Sequence, residues 1–380
     1  MIDRKGTYSI KHDHAARGMP EDVIPMWVAD MDFQAAPCIT EAIEKRIRHG
    51  IFGYSVPDSG YFDTLCGWFE RRFAWKTERE WIAQTPGVVN SLYIAIRALT
   101  APDDGVVVQQ PVYNPFWYAI RDTGRRLVNN ELVYYGGRYG IDFDDFEEKI
   151  KGAKLFIMCS PHNPTSRVWT REELFKMGEI CLRHGVPIIS DEIHQDIVYP
   201  DKRHHMLASL DERFADITVT CTAPSKTFNL AGLQLSNIII PNEGLRGRFK
   251  QEYKRSGLNE PGVIGLTACK AAYDGGEGWL EELLAYLGGN FAMLHEFLCA
   301  KLPKVRLVEP EGTYLAWIDF SGLGYTDQEL NDLMRDKARL WLNSGVTYGA
   351  GGAGFQRMNL GCPRSVLSEA LTRLESAFGD

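Results

Sequence analysis

The sequence has no close pair of cysteines. Its eight cysteines (Cys38, Cys66, Cys159, Cys181, Cys221, Cys269, Cys299 and Cys362) are scattered along 380 residues, with no CxxC among them. That excludes a small disulfide framework and predicts free thiols, most of them buried among apolar neighbours. A basic excess is missing too: 42 Lys and Arg stand against 50 Asp and Glu, a net charge of −8. Nucleic acid and anionic membrane surfaces demand a concentrated basic face, so neither is an expected partner. Basic runs such as "RGRFK" (246–250) read as solvated helix faces. The opening "MIDRKGTYSIKHDH" lacks the apolar centre of a signal peptide, and no apolar run reaches the length of a membrane span. A cytoplasmic, reduced setting is the expectation. There is no internal repeat and no low-complexity tract. The pairs "HDH" (12–14) and "HH" (204–205) have no supporting ligand set, so no metal is expected.

What the chain does have is alternation. The apolar runs "GVVVQQ" (105–110), "KLFIMCS" (154–160), "VPIISDE" (186–192), "DITVTCT" (216–222) and "SNIII" (236–240) read as buried strands. "REELFKMGEICLRHG" (171–185) has helical periodicity and a glycine stop. Apolar strands separated by helices predict an α/β fold with a mostly parallel, doubly covered sheet. The tail changes character. "VRLVEPEGTYLAWIDF" (305–320) reads as two strands around a turn, 327–345 as one amphipathic helix, and "FQRMNL" (355–360) as a strand before a final helix. This predicts a large domain over 46–287 and a smaller α+β domain over 288–380, with a helical connection through 260–302. Residues 1–45 lack strand signals and are expected to pack on the small domain.

Three of the strands run into unusual polar chemistry: "LFIMC" into "SPHNPTS", "VPIIS" into "DEIHQD", and "ITVTC" into "TAPSKTF". In open α/β sheets ligands bind beyond the carboxyl ends of strands. If these strands are neighbours, Asn163, Asp191, His194 and Lys226 face one cleft. A lysine there can form a Schiff base with an aldehyde cofactor. Pyridoxal phosphate needs an acid beside its pyridine nitrogen, which Asp191 can provide. Asn163 suits the ring oxygen, and Tyr113, after an earlier strand end, suits the ring face. Gly87 turns "TPGVVNSLYIAIRAL" (85–99) into a helix whose first amides can hold a phosphate. "GAGGAG" (349–354) fits G-x-G-x-x-G, but it precedes a strand rather than opening a helix, so it reads as a turn and not a dinucleotide site.

These residues carry a resemblance that runs, in order, over nearly the whole chain: "PMWVADMDF", "FGYS", "TPGVV", "PVYNPF", "SPHNP", "SDEIHQDIV", "APSKTFNLAGLQ" and "FQRMNLGCPRS". The chain resembles fold-type I pyridoxal-phosphate enzymes of the aminotransferase class I/II superfamily, and within them the cystathionine β-lyase-like C–S lyases. The resemblance implies a seven-stranded large-domain sheet and a cofactor-bearing Lys226 that also moves protons. It implies Asp191 at the pyridine nitrogen, Asn163 at the ring oxygen and Tyr113 stacked on the ring. Amides of Val88, Val89 and Asn90, with Ser225, would hold the phosphate, and His194 would line the cleft. Arg357 would grip the α-carboxylate of a small amino-acid substrate, with Asn163 and Tyr113 beside it. Tyr54 would reach the neighbouring subunit's cofactor, which implies a homodimer with shared active sites.

The sequence departs from the family pattern at Ser166, where glycine is usual, at Asn90, where proline is usual, and at "KHD" (11–13), where "KWD" is frequent. Gln234 replaces an arginine, and His194 a tyrosine, that many aminotransferases carry. The expected reaction is β-elimination from L-cystathionine or another S-substituted cysteine. An aminotransferase uses the same lysine, aspartate and arginine and is the second reading. A cofactor-binding regulator is the third.

Overall fold

The computed structural model describes residues 2–13, 18–258 and 260–379. His14, weighed above in the "HDH" stretch, lies outside the described residues.

Seven strands form the main sheet: β1 (Ile82–Thr85), β2 (Gly105–Val108), β3 (Arg126–Asn129), β4 (Leu155–Cys159), β5 (Ile188–Asp191), β6 (Thr218–Thr222) and β7 (Ser236–Ile239). Their order is β1-β7-β6-β5-β4-β2-β3, and β7 alone runs antiparallel to its neighbours. Every residue of β2, β4, β5 and β6 is buried. That follows from helices on both faces and explains why these strands read as unbroken apolar runs. The expected mostly parallel α/β sheet is what forms. β1 and β3 have mixed burial and lie at the two edges, so their patterns gave no clear strand signal.

A second, antiparallel sheet is built from β8 (Arg306–Leu307), β9 (Leu315–Asp319), β10 (Asn343–Ser344) and β11 (Phe355–Asn359), in the order β8-β9-β11-β10. β11 is buried throughout and carries Arg357 opposite Trp317 and Asn343. The turn before it contains the "GAGGAG" stretch. Its tightness is set by Gly345, where a Cβ would run into the Gly352 carbonyl and stand 2.7 Å from the Phe355 carbonyl. Both obstacles are backbone and cannot step aside. Gly345→Ala is expected to cost about 3 kcal/mol, the range of overpacked sites, and to lower the urea midpoint in a denaturation titration.

Two expectations are corrected. The helix expected over 327–345 ends at Asp336. Arg339 adopts a left-handed φ of 50°, and Leu340–Trp341 then pairs in parallel with Ile24–Pro25. Burial of Leu340 and Leu342 against the N-terminal segment overrides helical propensity. The second correction concerns apolar length. With α1 (Ser59–Phe73) and α2 (Val88–Leu99) preceding it, α3 (Glu277–Lys301) has 25 residues and is long and apolar enough to cross a bilayer. One side of it, Leu280, Leu283, Leu287, Phe291, Leu294 and Leu298, is packed in the core. Its first turns form ion pairs through Glu277 and Glu281 to Arg72 at the end of α1. It is the core helix of a globular fold. The eight cysteines are all free.

Candidate active site

β4, β5 and β6 are adjacent, with Cys159 opposite Asp191 and Asp191 opposite Cys221. Their carboxyl ends therefore open on one place. A cavity of about 190 Å³ lies there, lined by Val88, Val89, Asn90, Tyr113, Asn163, Asp191, His194, Ser225 and Lys226. Nine residues singled out from the sequence thus meet in one pocket. Arg357 reaches the same pocket by bonding Asn163, its Nη1 donating to Oδ1 at 2.9 Å. Its Nη2 donates to the Trp27 carbonyl at 2.6 Å, and its guanidinium lies 5.2 Å from the Tyr348 ring. Tyr54 is not in this pocket. It is fully exposed, on a separate hollow with Phe52 and Pro261.

The cavity floor is electrostatically unusual. Asp191 is buried, and its carboxylate accepts the Ile193 amide at 3.1 Å. Burial pushes its pKa up to about 7, against the opposing pull of that amide and of Lys226. Lys226 donates from Nζ to the Ala29 carbonyl at 2.7 Å. Burial, with repulsion from Arg357, pulls its pKa down to about 8, although Asp30 and Asp191 act the other way. Burial and the nearby Lys226 and Arg357 charges hold the His194 imidazole well below its ordinary value, so it is neutral. Burial also pushes the Tyr113 phenol up to about 12.

The pocket also has unspent bonding capacity. His194 Nδ1 and Arg357 Nε are buried without a hydrogen-bond partner among the described residues. Such groups are ordinarily satisfied. On the opposite wall α2 starts at the cavity with its first amides free of intrahelical partners. Gly87 precedes it at φ 91° and ψ 152°, a conformation open to glycine and strained for other residues. A buried carboxylate in no ion pair among the described residues, an orphaned imidazole nitrogen, an orphaned guanidinium N–H and an open helix N-terminus together fit a flat, cationic, phosphate-bearing ring that carries a carboxylate-bearing adduct.

The departures from the family pattern find physical explanations. Ser166 sits at φ 62°, the left-handed conformation glycine usually provides, and its hydroxyl bonds the Gly312 carbonyl. Asn90 caps its own turn, Nδ2 donating to the Pro86 carbonyl at 2.6 Å. Gln234 lines the cavity and turns its amide to the Ala231 carbonyl. His12 Nε2 lies 3.1 Å from Asp32 Oδ1, beside buried Lys11, whose ammonium pairs with the same carboxylate at 2.7 Å. Sequence reasoning missed Ala29 and Tyr314. The Ala29 carbonyl accepts from both Lys226 and the Tyr314 hydroxyl, the latter at 2.8 Å. A backbone carbonyl has no side-chain signature; the only signal was the quoted "PMWVADMDF" run.

Residues 21–374 match the aminotransferase class I and II family, and the chain belongs to it. Its fold is the fold-type I arrangement. Among curated proteins it is 47% identical over 380 residues to cystathionine beta-lyase PatB of Bacillus subtilis (strain 168), covering 99% of this chain and 98% of that one. Among solved structures it superposes on cystalysin of Treponema denticola, which contains a pyridoxal 5'-phosphate cofactor, with a TM-score of 0.96 at 37% identity, over 99% and 97% of the two chains. It also superposes on a PLP-bound putative aminotransferase of Clostridium difficile 630, with a TM-score of 0.98 at 42% identity, over 100% and 98%.

Proposed function

We propose that this protein is a pyridoxal-phosphate-dependent C–S β-lyase that releases a thiol, pyruvate and ammonia from L-cystathionine or another S-substituted L-cysteine. The observation that carries the reading is the full-length 47% identity to a cystathionine beta-lyase. The convergence of Lys226, Asp191 and Asn163 at three adjacent strand ends supports it.

When bound, pyridoxal phosphate supplies an electron sink for charge that develops on the substrate's Cα. The chain does the rest. Lys226 Nζ, with its lowered pKa, is a base that takes the Cα proton near neutral pH. Asp191 stabilises a proton on the ring nitrogen by opposite charge in a buried setting. Asn163 orients the ring oxygen and, through its bond to Arg357, ties ring position to carboxylate position. Tyr113 covers the ring, and neutral His194 lines the cleft without adding charge. Amides at Val88, Val89 and Asn90, with Ser225, hold the phosphate.

Arg357 grips the α-carboxylate with a planar fork that a lysine cannot reproduce. Arg357→Lys is expected to raise KM by roughly 30–100-fold, the worth of one lost charged hydrogen bond. A smaller effect on kcat would separate binding from chemistry in steady-state assays.

The reading includes a homodimer in which Tyr54 reaches the partner subunit's cofactor; its full exposure, beside exposed Phe52 and Ile51, supports a covered role. It includes a cytoplasmic setting and a division into a large domain (46–287), a small domain (288–380) and an N-terminal segment (1–45) packed on the latter. The test is thiol release: cofactor-loaded protein given L-cystathionine must liberate homocysteine, detected with a thiol reagent. Absence of thiol from L-cystathionine and from other S-substituted cysteines contradicts it.

A further inference from the structure

A second cleft lies apart from the active site. It has a volume of about 710 Å³ and lies between the end of α1, the start of α3 and the 195–204 loop. Its inner wall is the reverse side of the loop that floors the active site. Gln195, 2% exposed, lines it, and neither the oxygen nor the nitrogen of its amide has a partner among the described residues. His204, also buried, lines it with Nδ1 unpartnered, while Nε2 is engaged by Glu192 at 2.7 Å. Buried amides and imidazoles are normally satisfied, and here both point to a polar occupant.

The charges around the cleft define the occupant's class. On one side a single guanidinium, Arg72, is shared by Glu281 at 2.6 Å, Glu277 at 3.3 Å and buried Asp196 at 3.9 Å. Arg71 stands 3.9 Å from the same Glu277 and donates from Nη2 to the Tyr273 carbonyl at 3.5 Å. Three carboxylates against these two guanidiniums leave net negative charge, which suits an ammonium group. Arg203, which also lines the cleft, has no hydrogen bond or ion pair among the described residues. It suits a carboxylate. Phe73, Leu284 and Pro200 add apolar surface to the cleft. The Gln195 amide offers one donor group and one acceptor to the same occupant.

We propose that this cleft binds a free α-amino acid with an apolar side chain, as a second ligand site separate from the active site. Its wall residues adjoin the active-site groups along the chain. Gln195 follows His194. Asp196 accepts from Thr227, next to Lys226, at 2.8 Å. Glu192, held by His204, follows Asp191. The cleft wall is therefore linked to three active-site residues: to His194 directly through Gln195, and to Lys226 and Asp191 through the intervening Thr227 and Glu192.

The experiment is equilibrium dialysis of isotopically labelled L-leucine, which has no β leaving group, against holoenzyme treated with borohydride. That treatment fixes the cofactor on its lysine, so that no amino acid can displace the lysine from it. The expected result is one saturable site per chain with a Kd below about 10 mM. Binding should weaken at least about tenfold in Gln195→Leu and in the exposed-site variant Arg203→Ala, the scale of a lost hydrogen bond to a charged group. N-acetyl-L-leucine and L-leucinamide, each lacking one charge, should compete at least about tenfold more weakly for the same reason. No saturable binding overturns the proposal. So does binding that both variants leave unchanged, or competition by either singly charged analogue as strong as that of L-leucine itself.

Discussion

Replacing Lys226 with alanine is expected to lower kcat by about 10⁴-fold or more, the upper range for loss of a positioned acid–base group. The reason is that nothing nearby can take over. The amine is buried and aimed by the Ala29 carbonyl at 2.7 Å, and its pKa of about 8 leaves a useful neutral fraction near physiological pH. His194 is neutral, but its basicity is suppressed by burial, so it holds a proton poorly. The Tyr113 phenol, at about 12, gives up its proton too reluctantly to serve as a base. The expected signature is selective. Kcat collapses, while the melting temperature of the cofactor-free chain changes little, because the variant also removes a buried charge repelled by Arg357. A small added primary amine should restore part of the activity. A Lys226→Ala protein with normal turnover would contradict the assignment.

Asp191→Asn is expected to act in opposite directions on activity and on stability. Turnover should fall by about 10²–10³-fold, the usual cost of losing a preorganised electrostatic partner. The cofactor-free chain should nevertheless become more stable above neutral pH. The Asp191 pKa is raised from 3.8 to about 7 by burial, so the group favours folding most at low pH. That contribution is lost as pH rises toward and through about 7, where the carboxylate must ionise inside the protein. Wild-type protein without cofactor should therefore lose roughly 2–3 kcal/mol between about pH 5 and 8 from this group. The asparagine variant should lose correspondingly less. Lys226 works in a different window: its depressed pKa favours folding fully above about 10.5, and that contribution falls away toward about 8. Urea titrations of both cofactor-free proteins at the two pH values separate the effects. Equal pH dependence in the two proteins would show that Asp191 is not ionising in a buried site.

Much of this site was legible before any coordinates. Buried parallel strands announce themselves as short apolar runs, and polar residues directly after three such runs mark a ligand crevice. That logic brought Asn163, Asp191, His194 and Lys226 together from spacing alone. The helix N-terminus at the cavity was legible for a similar reason, since Gly87 stands directly before the helix it opens. What escaped notice depends on partners distant in sequence. Leu340 and Trp341 look helical until Ile24 and Pro25 pair with them. α3 reads only as part of a helical connection through 260–302, and its full apolar length of 25 residues emerges with the packing of its leucines. Ala29 contributes only a carbonyl, which no residue type encodes. Gln195 carries no signal of its own in the sequence, and only its burial without a partner among the described residues distinguishes it.

The most direct test of the central claim is a product balance on purified, cofactor-loaded protein supplied with L-cystathionine and no 2-oxo acid. The account predicts pyruvate, ammonia and homocysteine in equal amounts over many turnovers. No pyruvate, with amino-group transfer appearing once a 2-oxo acid is added, would contradict it and make the protein an aminotransferase.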